Sequence, residues 1–344
     1  MCIEKRSEIL FCYDVTDANP NGDPLDENKP RIDEETKINI VTDVRLKRTV
    51  RDYLYEYKGY NGQNGKDIFV REIIYDKEGH IQDAKLRARD FIKLIGEESE
   101  EEKLVIKQFL EKGKVNKSKI EIIKKSIGRN LLNDTIDVRL FGATIPLEFT
   151  KKEIVENVNQ PIKTSVTFTG PVQFKMGRSL HKVELKHIKG TGAFASKQTA
   201  TQATFRDEYI LPYSFICFHG IINETAAKYT KLTDEDVKEM LDAMWNGTKN
   251  LISRSKFGQM PRLLLKVTYR EPGFFIGDLD KKIKLTGYEN DFSIRSVKDF
   301  NLNLKDLKDA FDSNKDKIEK IEYKIDENLS IVDGIPNNWI NLEI

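Results

Sequence analysis

The stretch Val41 to Leu54, VTDVRLKRTVRDYL, constrains this chain more than any other, because it reads as a short helix with two very different faces. At 100° per residue Leu46, Val50, Tyr53 and Leu54 share one arc, continued by Tyr57, while Arg45, Lys47, Arg48 and Arg51 fill the arc beside it. One side needs a core to pack on. The other gathers cations that repel one another unless a polyanion or solvent screens them, with Asp43 suiting the positive end of the helix dipole. Such a face is either a solvated basic surface or an anion-binding one.

The chain as a whole does not decide between them. Its 344 residues can bury a substantial core and hold two or three domains. With 57 Lys plus Arg against 56 Asp plus Glu there is no global basic excess, so any nucleic-acid partner has to be read from local charge. No signal peptide or membrane-length apolar run is present, and a soluble cytoplasmic protein with no membrane partner is expected. Cys2, Cys12 and Cys217 form no C-x-x-C pair, which argues against a disulfide framework and a structural zinc site.

In order, Ile9–Val15 reads as a buried strand, and the turn-rich loop Thr16–Pro30 follows it. Asp17, Asn19, Asn21 and Gly22 match the start of an EF-hand loop, but Asn28 stands where the bidentate Glu belongs, so a rigid amide-rich turn at the foot of the basic helix is the better reading. After the break at 58–65, residues Ala84–Leu132 read as an inserted helical lobe with an acidic run at Glu97–Glu102. Its lysines, Lys112 to Lys125, either meet a phosphate backbone or form a solvated face. Ile136–Ile145 is expected to be a second strand and Val166–Leu180 a third, bent at Gly170 and Pro171. From Pro161 to Phe205 the cations Lys163, Lys175, Arg178, Lys182, Lys186, Lys189 and Lys197 face a single acid, Glu184, a local basic footprint. Within it Lys189–Phe205 reads as a hairpin whose Phe194 either stacks on a nucleobase or anchors the hairpin. Tyr209–Ile222 is core strand. Thr233 with Asp236 makes a capping box for a helix whose stripe is Val237, Met240, Leu241, Met244 and Trp245. Arg254 and Lys256 fall in a loop before Arg262–Tyr269, expected to be the last core strand, and a charged tail from Asp291 says little about chemistry.

No catalytic motif emerges. The four histidines are scattered, with His181 and His187 read as surface or phosphate-contacting groups, and there is no Walker A loop, G-x-G-x-x-G or G-x-S-x-G. Among acids, Asp17, Asp23, Asp26 and Asp33 share one loop. The residues describe a binding surface without an evident catalytic centre or cofactor, on an α+β core of β-α-β-β-α-β order with insertions.

Asn19–Pro24 (NPNGDP), Val41–Leu54, Asp137–Gly142 (DVRLFG), Gly170–Phe174 (GPVQF), Gly177–Val183 (GRSLHKV), Ala243–Lys249 (AMWNGTK) and Arg254–Gly258 (RSKFG) together resemble the backbone subunit of type I CRISPR (Cascade) surveillance complexes of the RAMP superfamily, subtype I-B most closely, over residues 5 to 270. The resemblance implies a ferredoxin-like, RNA-recognition-motif palm (1–58, 136–181, 206–290), helical fingers (59–135), a thumb hairpin (182–205) and a tail (291–344). It further implies a non-catalytic protein that polymerises head to tail along a guide crRNA and helps hold target DNA, with a large subunit, a 5′-end capping subunit and a repeat endonuclease as companions. Lys47 and Arg51 become the leading candidates for guide phosphates, then Arg45 and Arg48. Lys175, Arg178, Lys182, Lys197, Arg254 and Lys256 complete the RNA-facing set, with Phe194 or Phe205 near a flipped base. The rival reading is a metal-dependent ribonuclease of the related type III kind, using Asp33 or Asp17.

Overall fold

Strand β1 (Ser7–Ala18) is buried without interruption from Ser7 to Val15, a pattern that only a strand covered on both faces satisfies. The computed structural model describes residues 2–191 and 205–344, which divide into two units. One consists mainly of Leu54–Val172 and Thr225–Val237, the other of Lys5–Tyr53, Gln173–Glu224 and Lys238–Ile344.

After β1 the chain enters β2 (Ile38–Val41) and α1 (Asp43–Tyr57), then α2 (Ala84–Arg89), α3 (Glu100–Lys112), α4 (Ile120–Asp134) and α5 (Ile136–Phe141). The β3 (Gly142–Phe149) and β4 (Ile162–Thr169) strands pair, and β5 (Val172–Phe174), β6 (Gly177–Lys182), β7 (Lys186–Thr191) and the long β8 (Phe205–Ile222) follow. Next come α6 (Glu224–Thr230), α7 (Asp234–Lys249), β9 (Met260–Tyr269), α8 (Lys305–Ser313), β10 (Ile318–Ile325) and β11 (Ile340–Asn341).

The main sheet has the order β11-β10-β9-β1-β8-β6-β2, with β5 and β7 also paired to β8. β1 runs antiparallel to β8 and β9, β6 runs antiparallel to β8 and β2, and β11 lies parallel to β10, so the sheet is mixed. Alternation sends Leu10 and Cys12 to one face, where they join Phe215, Leu263 and Leu265 in a core closed by Phe300, Leu307, Phe311 and Trp339. The tail is therefore structural. Arg262–Tyr269 is not the last core strand, because β10 pairs with β9 along its length and the segment after Asp291 covers one sheet face. On the opposite face α1 buries Leu46 and Val50 and brings Arg45 beside the Tyr13 phenol. Gly247 lets α7 approach α1: a Cβ there would lie 2.9 Å from Tyr53 Cβ, which explains the glycine in AMWNGTK.

In the other unit Ile106, Ile123 and Leu131 of the helices share a core with Ile145, Leu147, Phe149 and Val166. Residues 136–172 thus pack with the inserted lobe. Ile136–Ile145 is also not one strand. The buried Asp137 carboxylate accepts the Phe69 and Val70 N–H groups at 2.8 and 3.1 Å, fixing a helical turn, and Gly142 at φ 69° ends it. A Cβ at Gly142 would stand 2.2 Å from Phe168 O. The expected third strand likewise divides into β4, β5 and β6, and its break at Gly170 abuts Phe141. The acidic run at Glu97–Glu102 is largely consumed inside the lobe: Glu98 pairs with Arg129 at 2.8 Å, Glu102 with Lys125 at 2.7 Å, and Glu101 with Lys119.

The capping box at the start of α7 forms as expected, with Asp236 N–H donating to Thr233 Oγ1 (3.2 Å) and Thr233 N–H to Asp236 Oδ2 (3.1 Å). Asp236 also pairs with Arg139 at 2.7 Å. Thr233→Ala should lower unfolding free energy by about 1 kcal/mol, measured as a shifted urea midpoint at constant slope. Among the described residues, no helix is long and apolar enough to cross a membrane.

Candidate nucleic-acid interface

The NPNGDP loop caps the basic helix. Asn21 Oδ1 accepts the Thr42 N–H at 2.8 Å and its hydroxyl at 2.9 Å, and Thr42 Oγ1 in turn accepts the Arg45 N–H at 3.3 Å as an N-cap. Asn19 N–H donates to Ser255 O at 3.1 Å, and Lys256 Nζ donates to Asn19 O. Asn19 Nδ2 meanwhile donates to Asn28 O at 2.6 Å, so the amides build a turn rather than a calcium cage. Two motifs more than 230 residues apart meet at the foot of α1.

Their charges are partly withdrawn from water, and Asp52 acts on Arg45 through its field without pairing with it. Burial and, to a lesser degree, the nearby Arg45 guanidinium together pull the Lys256 ammonium down to about 8. Burial also lowers Arg45, whose Nη2 donates to Thr49 Oγ1 at 3.2 Å. Neither cation makes an ion pair among the described residues. Two like charges withdrawn from water without a carboxylate are costly unless an anion completes the site. The group that fits is a phosphate or similar oxyanion, received by charge-assisted hydrogen bonds.

The remaining candidates are distributed. Lys47 is held by Asp43 at 2.9 Å and Arg48 by Asp52 at 2.6 Å, while Arg51 is half-buried on α1 and also engaged. Arg254, mostly exposed, pairs with Glu208 at 2.8 Å. Lys175 is neutralised by Asp278 (2.6 Å) and Asp280 (3.2 Å). Arg178 is exposed on β6 with Asp33 at 3.9 Å, and exposed Lys182 ends that strand. Phe194 and Lys197 lie outside the described residues; Phe205 opens β8 opposite Thr191, and its side chain is also outside them.

No local pattern points to the buried network in which Glu8 Oε1 meets His219 Nε2 at 2.7 Å while Asp280 reaches His219 Nδ1 at 3.2 Å. His181 is not a surface group: it is buried, accepts the Phe215 N–H at 3.2 Å through Nε2 and donates from Nδ1 to Lys182 O at 2.9 Å. His187, partly exposed, stacks on Tyr209 at 4.6 Å. Asp33 Oδ1 accepts the Glu35 and Thr36 N–H groups at 3.1 and 3.2 Å, which hold its carboxyl below the usual range. Asp76, Glu78 and His80 bring potential metal-ligating atoms within 4.8 Å on an accessible turn, where His80 pairs with Asp76 at 2.6 Å.

A sheet that brings two desolvated cations together at a helix foot has the chemistry to receive an anion. Residues 5–305 match the family model of CRISPR-associated protein Cas7, and the chain belongs to that family. A curated relative from Haloferax volcanii, named CRISPR-associated protein Cas7, is 30% identical over 332 residues, covering 95% of this chain and 88% of its own. A chain of a solved CRISPR RNA-guided surveillance complex in a pre-nicking state superposes with a TM-score of 0.54 at 14% identity, covering 98% of this chain and 95% of that one, and so shares the fold. The resemblance read from the motifs is borne out at the level of the family.

Proposed function

We propose that this protein is a guide-RNA-binding backbone subunit of a type I CRISPR antiviral surveillance complex, repeating head to tail along the crRNA and supporting target DNA recognition without chemistry of its own. The observation that carries this is the meeting of Arg45 and Lys256 at the foot of α1, neither of them ion-paired among the described residues. A phosphate there is recognised by charge alone, which suits a subunit that must accept any guide sequence. The antiparallel order β9-β1-β8-β6, with α1 between β1 and β6 and α7 between β8 and β9, supports a ferredoxin-like palm. The helical lobe takes the place of the fingers, and the β7–β8 arms that of the thumb hairpin.

The large subunit, the 5′-end capping subunit and the repeat endonuclease are the partners this role requires. Head-to-tail self-contact gives an open filament whose length the RNA sets. Asp33 serves this reading as a turn-forming group, its Oδ1 already accepting two backbone N–H groups, rather than as the metal-binding carboxylate of a ribonuclease. The test is to isolate the protein with its native partners, size the particle and sequence its nucleic acid. Uniform short RNA with repeat-derived ends in a multi-copy particle is expected; failure to bind guide RNA even with those partners would overturn the reading.

A further inference from the structure

We propose that Phe257 is a stacking platform for a nucleobase of the strand whose phosphate rests on Arg45 and Lys256, an assignment that builds on the function proposed above. The two residues leave the same turn with opposite fates. Ser253 O accepts the N–H groups of both Lys256 (2.9 Å) and Phe257 (2.8 Å), so the turn is held by its own backbone. Lys256 is drawn in toward Asn19, whereas the Phe257 ring is 73% exposed and Ile252, at the start of the same loop, is 85% exposed. Gly258 follows at φ 85°, and a Cβ there would touch nothing, so the loop around the ring is open.

An aromatic left in water beside desolvated cations is unfavourable alone and is satisfied by a ligand that is anionic at one end and flat and apolar at the other. A nucleotide has both ends. Arg254 on the same loop is already paired with Glu208, so the charge at the approach is that of Lys256 and Arg45, neither ion-paired among the described residues, and it favours a nucleic acid over a protein surface as the occupant. Because every base has a π-face, such a platform serves any sequence.

The experiment compares the full-length protein with Phe257→Ala, Phe257→Trp and Lys256→Ala, using dye-labelled single-stranded RNA and the same RNA carrying abasic sites. Phe257→Ala is expected to weaken normal RNA about tenfold, leave abasic RNA unaffected and keep the salt slope unchanged, while Phe257→Trp restores affinity. Lys256→Ala is expected to weaken both RNAs and flatten the salt slope. If Lys256→Ala acts so but Phe257→Ala binds RNA normally, the platform is wrong and the functional reading stands; dissociation of multi-copy particles by Phe257→Ala in that case would assign the ring to a protein interface. If neither substitution changes RNA binding, the platform and the Arg45–Lys256 pocket both fail, whereas a wild-type protein that binds no RNA even with its native partners overturns the functional reading itself.

Discussion

The double variant Arg45→Ala, Lys256→Ala should bind guide RNA at least about a hundredfold more weakly than the wild type, since each charge-assisted phosphate contact contributes about 1.5 to 3 kcal/mol. On a single strand the slope of log affinity against log salt should also shrink by about 0.7, for the one phosphate the pocket holds. Because the loss is of phosphate contacts, it should be uniform across RNA sequences. Arg48→Ala is the internal control. It removes an exposed cation already paired with Asp52, and its effect should stay within about fivefold. Anisotropy titrations at several salt concentrations separate these outcomes, and equal losses for the double variant and Arg48→Ala would mean that the helix acts as a diffuse basic surface with no built pocket.

The ranking of the helix cations shows what the sequence could and could not convey. The amphipathic face was legible because 3.6-residue periodicity places Leu46 and Val50 together on the core side and the cations beside them. Which cation is available depends on neutralisation, and half of that was also written locally: Lys47 has Asp43 four residues before it and Arg48 has Asp52 four after it. Arg45 has Val41 and Thr49 at those positions and no such partner. What no local pattern contains is Lys256, which reaches the site only because β1 and β9 are neighbours in the sheet and carry their flanking loops to the same end.

The same distinction explains the other differences. The Thr233 capping box, the β1 core strand and the amide turn at Asn19–Gly22 were readable because each is set within a few residues. Residues Ile136–Phe141 were not, because a short apolar run suits a strand or a buried helical turn equally, and the arbiter is Asp137 receiving two N–H groups from residues 69 and 70. The tail was illegible for a similar reason. Its strand β10 alternates weakly and acquires its role only by pairing with β9.

Raising the pH above about 8 should weaken RNA binding by up to about tenfold per pH unit in the wild type, and Lys256→Arg should remove most of that dependence. In the free protein burial and the Arg45 charge let Lys256 give up its proton near pH 8, well below the ordinary lysine value of about 10.4. A bound phosphate favours the ammonium, so above pH 8 binding must take up a proton and affinity falls as protons become scarce. Stability of the free protein runs the other way for this group. The unfolded chain keeps the lysine proton to higher pH than the native state does, so between about pH 8 and 10 the contribution of Lys256 to native stability rises with pH. Comparing wild type with Lys256→Met isolates that contribution from the titration of buried tyrosines such as Tyr13, which burial pushes upward. Arginine keeps its charge throughout, so Lys256→Arg should bind with a nearly flat profile from pH 7.5 to pH 9.5, about the range over which the lysine titrates. Titrations across that range decide the matter: a wild-type affinity that does not change, or a slope that persists in Lys256→Arg, would place the titrating group elsewhere and leave the Arg45–Lys256 pocket without its phosphate.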